Sequence, residues 1–234
     1  MNKNRLVALL PMKAHSARVK SKNFRSFAGK PLFRWILDSL LAVDAIDLVV
    51  INTDARAILA ENGLNDGDAG GRIMIRDRKP EICGDFVSMN LVLADDIANV
   101  DSDAYFMTHT TNPLLQPETM GRAIAQYQAG IKSGEADSVF GVNKIQTRFY
   151  RADGSPVNHD PANLIRTQDL EPWFEENSNL YIFSKESFAR TEARIGATPT
   201  MFETPPLESV DIDNQEQWAI AEALALYSRN VEGQ

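Results

Sequence analysis

Two kinds of apolar pattern alternate along the chain. Residues 6–12 (LVALLPM) form an unbroken apolar run, the pattern of a strand buried on both faces. Pro31 then stands where the first turn of a helix tolerates it, and Leu32, Phe33, Ile36, Leu37, Leu40 and Leu41 recur at helical spacing. Residues 47–53 (DLVVINT) predict a second buried strand, 55–62 a short helix stopped by Gly63, and 63–71, rich in Gly, Asp and Asn, a turn or loop. A third strand at 72–76, a helix over 87–100, a fourth strand at 105–109, a helix over 118–132 and a short strand at 138–142 continue the series. From 143 to 177 the alternation lapses into a polar stretch with Gly154, Pro156, Pro161 and Pro172. It predicts an excursion of hairpins and loops. Its aromatics, Phe149, Tyr150, Trp173 and Phe174, suit a partner subunit, a substrate lid or a plain surface. Regular structure returns at 179–183, and a helix over 216–229 closes the fold.

Apolar strands alternating with helices predict an α/β fold: a Rossmann-like, mostly parallel sheet flanked by helices, in one domain over 1–234. The ligand site of such a sheet lies beyond the C-terminal ends of its strands. A chain of 234 residues buries enough surface to need no disulfide staples. Its one cysteine, Cys83, excludes an intrachain disulfide or a cysteine zinc cluster and reads as a half-buried small residue. The apolar run at 6–10 is too short for a signal-peptide core and is cut by Pro11 and Lys13. No stretch approaches the ~20 apolar residues of a membrane span, so the expectation is a cytoplasmic protein.

Charge changes this picture locally. The net charge of −8 argues against a general nucleic-acid or anionic-membrane binder. Yet residues 1–37 contain no Asp or Glu and carry nine of the 24 Lys and Arg residues. Such an opening is either a site for something negative or a mere terminal tail. Lys13, Arg18, Lys20 and Lys22, with Ser16, fall in one loop after the first predicted strand, where open α/β sheets bind ligands. Neither GxxxxGK[ST] nor GxGxxG is present, so the loop is neither a Walker loop nor a dinucleotide fingerprint. Lysines and arginines there can neutralise a polyphosphate through charge-assisted hydrogen bonds; a solvated basic loop is the alternative.

Far along the chain, Asp211 and Asp213 stand at i and i+2, so on an extended segment they share a face and offer hard oxygen ligands to one divalent cation. The spacing alone is weak, since Asp66/Asp68 and Asp101/Asp103 share it. The setting, between a predicted strand and the last helix, favours the 211/213 pair.

These motifs together resemble the acylneuraminate cytidylyltransferase family, the CMP–sugar-acid synthetases, over nearly the whole chain. The family's opening P-A-R-G-G-S-K-x-[IV]-x-x-K-N looks like Pro11 through Asn23, and its L-x-G-[KR]-P-L looks like Phe27 through Leu32. Its R-P-x-x-L-[AS]-x-D-x-A-S-S is similar to Arg78 through Met89, its L-Q-P-T-S-P-L to Thr108 through Leu114, and its S-x-D-I-D to Ser209 through Asp213. The resemblance implies a nucleotidyltransferase fold whose excursion, 143–177, dimerises. It implies transfer of CMP from CTP to a sugar acid, with pyrophosphate released and Mg²⁺ required.

Residue by residue, the resemblance puts the triphosphate on Lys13, Ser16, Lys22 and Asn23, with Arg18 beside them, and the cytosine near Arg78 and Ser88. It puts the metal on Asp211 and Asp213, which with Lys13 and Lys22 become the catalytic set. His109, Thr111 and Asn177 fall in the sugar region. Departures collect at particular places. Ala17 replaces a phosphate-contacting Lys, His109 stands where the family has a sugar-contacting Gln, and Leu115 stands where it often has Arg. Glu175 lies near a place where sialate enzymes carry Arg. The nucleotide end thus looks retained and the sugar end changed. A CMP-Kdo-type synthetase, a nucleotidyltransferase with another base and a non-catalytic nucleotide-binding regulator are the alternatives. His109 is a candidate general base or a substrate-orienting residue.

Overall fold

The computed structural model describes residues 4–16 and 18–232, so the departure at Ala17 lies outside the described residues. In chain order the elements are β1 (Leu6–Leu9), β2 (Ser26–Phe27), β3 (Lys30–Pro31), α1 (Leu32–Ala42), β4 (Leu48–Thr53), α2 (Arg56–Glu61), α3 (Asp68–Gly71, a single turn), β5 (Ile73–Asp77) and α4 (Met89–Asn99). They continue with β6 (Ala104–Met107), α5 (Pro117–Ser133), β7 (Ser138–Ile145), β8 (Trp173–Phe183), α6 (Lys185–Thr191), β9 (Pro199–Glu203) and α7 (Gln215–Glu232). Seven strands form one sheet in the order β5-β4-β1-β6-β8-β7-β9. The pairs β5·β4, β4·β1, β1·β6 and β7·β9 are parallel, whereas β8 runs antiparallel to both β6 and β7. The sheet is mostly parallel, as the apolar runs predict.

Both faces are covered. On one, Phe33, Ile36, Leu37 and Leu40 of α1 and Met120, Ala123 and Ile124 of α5 pack against Ala8, Val49, Ile51, Phe106 and Leu180. On the other, Leu93 and Ile97 of α4 and Phe188 of α6 pack against Val7, Leu9, Val50, Tyr105 and Phe183. Each Val, Leu, Ile, Phe or Met among them contributes about 1.5–3 kcal/mol by leaving water. A third cluster ties the two chain ends together. Phe27, held in the β2–β3 hairpin, meets Trp35 and Trp218 edge-on with ring centroids 5.6 and 5.3 Å apart. This cluster encloses Ile212, between the two aspartates. Among the described residues no helix is long and apolar enough to cross a membrane.

The excursion is less loop-like than expected. β7 continues to Ile145 and β8 begins at Trp173, so residues 143–145 and 173–177 form an antiparallel arm that extends the central sheet. A small hairpin with a Tyr150–Pro156 bridge and a 3₁₀ turn at Thr167–Asp169 make up its tip. Phe149 stacks on Trp173, centroids 5.0 Å apart, and Tyr150, Leu164, Ile165, Trp173 and Phe174 are exposed. β9 lies outside every sequence expectation: of its five residues only Phe202 is buried, so it carries no apolar run.

Candidate functional site

A cleft of about 420 Å³ opens beyond the C-terminal ends of β1 and β6, where a parallel sheet places its ligands. Lys13, Ser16, Arg18, Lys22, Asn23, Arg78, His109 and Thr111 of the expected set all line it. The backbone makes this possible. β1 delivers the chain to Pro11, and the loop turns back through a left-handed Ser21 into a 3₁₀ turn at Lys22–Phe24. Asn23 pins it: its amide donates to the Lys13 carbonyl at 2.7 Å and its oxygen accepts from the Thr110 hydroxyl at 2.6 Å. The Ala14 N–H donates to Asp54 at 2.6 Å. The basic run is therefore an anchored loop and not a tail. Lys20 is exposed and does not line the cleft.

The cations already face carboxylates. Lys13 Nζ lies 2.8 Å from Asp85, whose carboxyl is held below its usual range by that hydrogen bond and charge. Arg18 lies 3.0 Å and Lys22 3.7 Å from the same oxygen of Asp213. Lys22 is buried and also donates to the Ile212 carbonyl at 2.5 Å. Burial pushes its ammonium down, opposed by the charges of Asp213 and Asp211.

The acidic pair thus borders the cleft through Arg18 and Lys22, although neither aspartate is among the residues that line it. The segment is clasped to the end of β6 by a 2.9 Å bond from the Ile212 N–H to the Thr111 carbonyl. Burial raises the Asp211 carboxyl, with Asp213 adding to the rise and Thr111 and Lys22 opposing it. Asp211 Oδ1 is buried and has no hydrogen-bond partner among the described residues. A buried carboxylate oxygen without a partner is costly, and a second carboxylate two residues on makes an all-oxygen donor pair that fits a hard divalent cation. Among the described residues no cluster of three or more His, Cys, Asp or Glu is poised for a metal. Two carboxylates suit Mg²⁺, which takes its other ligands from substrate phosphates and water.

Some expected residues carry structural bonds, Arg78 of the cleft lining among them. Arg78 is buried; its Nε donates to Asn52 Oδ1 at 2.9 Å and its Nη2 to the Asn52 and Met12 carbonyls at 2.8 and 3.4 Å. Asn52 in turn donates to fully buried Asp96 at 2.8 Å, which also pairs with Arg76. Burial raises Asp96 to about 6 against the lowering by Asn52 and Arg76. Ser88 caps α4, accepting from the Asn90 N–H at 3.3 Å, and only its neighbour Met89 lines the cleft. Asn177 is not brought to the cleft. Its amide is tied to Asn143 and Thr204 at 2.9 and 2.6 Å, and its oxygen takes the Asn179 N–H. Cys83 is half-buried, its Sγ 3.4 Å from the Lys79 carbonyl.

His109 lines the cleft next to Thr110 and Thr111. Desolvation, then Arg194, then Lys22 push its pKa down to about 3, so the ring is neutral at physiological pH. Arg194 Nη1 lies 3.4 Å from His109 Nε2. Arginine only donates, so Nε2 accepts and the proton sits on Nδ1. Arg194 carried no signal in the sequence; it follows α6 in an unremarkable stretch, 85 positions from His109.

A family model described as Cytidylyltransferase matches residues 7–232. The chain is 28% identical over 233 residues to an N-acylneuraminate cytidylyltransferase of Oncorhynchus mykiss, covering 96% of this chain and 51% of that protein. It is 26% identical over 230 residues to a CMP-N,N'-diacetyllegionaminic acid synthase of Legionella pneumophila, covering 94% of this chain and 96% of that one. The chain therefore spans about half the length of the Oncorhynchus relative and nearly all of the Legionella one. Among solved structures it resembles CMP:2-keto-3-deoxy-manno-octonic acid synthetase complexed with CTP, at TM-score 0.62, 13% identity and coverage of 97% and 99%. It also resembles 4-diphosphocytidyl-2C-methyl-D-erythritol synthase of Anaerococcus prevotii, at TM-score 0.66, 13% identity and coverage of 96% and 97%. Those two likenesses speak for the fold. The family model spans nearly the whole sequence, cleft residues included, and the chain belongs to the cytidylyltransferase family.

Proposed function

We propose that this protein transfers CMP from CTP to a 2-keto sugar acid of the nonulosonate kind, releasing pyrophosphate, with Mg²⁺ as cofactor. One observation carries the reading: Arg18 and Lys22, which line the cleft with Lys13, face Asp213, and Lys22 bonds the carbonyl of Ile212 between Asp211 and Asp213. An attacking hydroxyl and a triphosphate need that combination of cations and a metal-binding pair. The relatives in Oncorhynchus and Legionella, named for CMP transfer to sugar acids, support the substrate class.

In this reading Lys13, Arg18 and Lys22, with Ser16, hold the triphosphate and stabilise charge on the departing pyrophosphate. Asn23 keeps their loop in register through the Lys13 carbonyl and Thr110. Asp211 and Asp213 hold the Mg²⁺, which when bound neutralises phosphate charge and lowers the pKa of the acceptor hydroxyl. Positioning of the hydroxyl in line with the α-phosphorus supplies much of the remaining rate. His109 orients the acceptor through Nδ1–H; a ring neutral to about pH 3 is a poor proton acceptor. The exposed apolar arm, with Phe149 stacked on Trp173 and Phe174 and Tyr150 open to solvent, suits a homodimer interface.

The test is pyrophosphate release from each of the four nucleoside triphosphates, across N-acetylneuraminate, N,N'-diacetyllegionaminate and 3-deoxy-manno-octulosonate. Release with CTP and at least one acid supports the reading. Release only with another triphosphate, or CTP binding without release from any acid, overturns it in favour of a different base or a non-catalytic regulator.

A further inference from the structure

We infer that Arg194 is the residue that receives the carboxylate of the acceptor acid, and that Glu176 occupies it until the acceptor arrives. This deepens the proposed function and rests on it.

Lys13, Arg18 and Lys22 surround the place proposed for the triphosphate, and Arg78 is bound to Asn52 and Met12. An acceptor acid brings a further negative charge, which needs a further cation. Arg194 stands beside His109 with its guanidinium carbon 3.9 Å from the centroid of the Tyr181 ring. The side chain is only 21% exposed. A cation this buried is held ready by its surroundings and loses little freedom on binding.

Its present partner is a weak one. Arg194 Nη2 lies 3.2 Å from Glu176 Oε1, and the Tyr181 hydroxyl donates to that same oxygen. Glu176 is 42% exposed and meets the guanidinium through one oxygen, an arrangement that solvent screens strongly. A substrate carboxylate approaching from the His109 side can form the two-point fork that guanidinium geometry favours. His109 helps because it is neutral and already accepts from Arg194, so it adds no repulsion to the cation and leaves its Nδ1–H free to donate.

The segment carrying Arg194 is anchored. Asp137 accepts the N–H groups of Ala197 and Thr198 at 2.9 and 3.1 Å, and the Gly196 N–H donates to Ser138 at 2.8 Å. A Cβ on Gly196 would lie 2.2 Å from Asp137 Oδ1 and 2.3 Å from Ser187 Oγ, so the loop is packed to the limit that glycine allows. Such a rigid support is what a recognition residue requires.

The test uses Arg194→Met, which keeps a flexible side chain over Tyr181, together with Arg194→Lys and Glu176→Gln. Steady-state kinetics are measured with the best acceptor acid and with its C1 carboxamide, and CTP affinity is measured separately. Arg194→Met is expected to raise the acceptor KM roughly 10- to 100-fold, the loss of one charge-assisted pair, with CTP affinity within about twofold and Arg194→Lys in between. With the carboxamide, wild type and Arg194→Met become nearly equal. Glu176→Gln removes the competitor and lowers the acceptor KM. An unchanged acceptor KM in Arg194→Met, an equal penalty with acid and carboxamide, or a parallel loss of CTP affinity each overturns the inference while leaving the synthetase reading intact. Absence of turnover by wild type on every acid overturns the synthetase reading, and the inference with it.

Discussion

Lys22 donates to the backbone carbonyl of Ile212 at 2.5 Å, joining the opening loop to a segment 190 positions later. The bond puts a buried cation beside both aspartates of the pair and ties the basic loop of the cleft to the acidic segment at its border. Trp218 of α7 packs from behind on the cluster that holds Ile212, so the C-terminal helix braces the site.

Lys22→Ala should weaken CTP binding by roughly 10- to 100-fold, the scale of a lost hydrogen bond to a charged group. The residual affinity should depend less steeply on salt than that of the wild type, since fewer charges remain to be screened. Calorimetric titration with CTP at two ionic strengths checks both parts. Equal affinity in the variant would remove the cradle assignment.

Asp213→Asn should act in opposite directions on two steps. Arg18 and Lys22 both face the Asp213 carboxylate, which competes with phosphate for them. Without metal, the variant should therefore bind CTP several-fold more tightly than the wild type, by about the worth of a partly exposed ion pair. With metal, its turnover should fall by orders of magnitude. A variant that loses metal-free CTP affinity would show that Asp213 organises the cations and does not compete with them.

His109 carries a pH signature. Its pKa of about 3 in the fold lies below the ordinary value of 6.5, so between these values the unfolded chain binds the extra proton. Stability from this group is present above about pH 6.5 and is lost as pH falls toward 3. His109→Gln should flatten that part of the urea-midpoint profile. It should leave the shape of the pH–rate profile between about pH 6 and 8 unaltered while raising the acceptor KM. An acidic limb that disappears in the variant would instead identify His109 as a general base.

Gly196→Ala should destabilise the fold by about 1–3 kcal/mol, because the added methyl overlaps the Asp137 carboxylate and the Ser187 hydroxyl. Urea denaturation measures the loss. An equally stable variant would mean that the 194–198 segment yields easily and is not the rigid support described above.

Much of this was legible in the sequence, for identifiable reasons. β1, β4 and β6 are buried on both faces and read as unbroken apolar runs. The cleft's basic loop was legible because its cations crowd a segment free of acids. β9 and the first half of β8 were not, because Trp173–Glu176 and most of β9 face solvent and carry no alternation. Arg78 and Ser88 fall in a stretch similar to a family motif and Asn177 in the expected sugar region, yet their hydrogen bonds are spent on Asn52, the α4 cap and Thr204, which no motif records. Arg194 reaches His109 only through the packing of α6 against the sheet, a long-range placement that no local spacing encodes.

The central claim, that the basic loop and the aspartate pair form one metal-dependent CTP site, is tested most directly by CTP titration with and without Mg²⁺. The proteins to compare are the wild type and Asp211→Ala, each shown to be folded by circular dichroism. We expect Mg²⁺ to tighten CTP binding to the wild type by about tenfold or more, a coupling within the usual range, and to have no such effect on the variant. The same Mg²⁺ gain in Asp211→Ala would contradict the account.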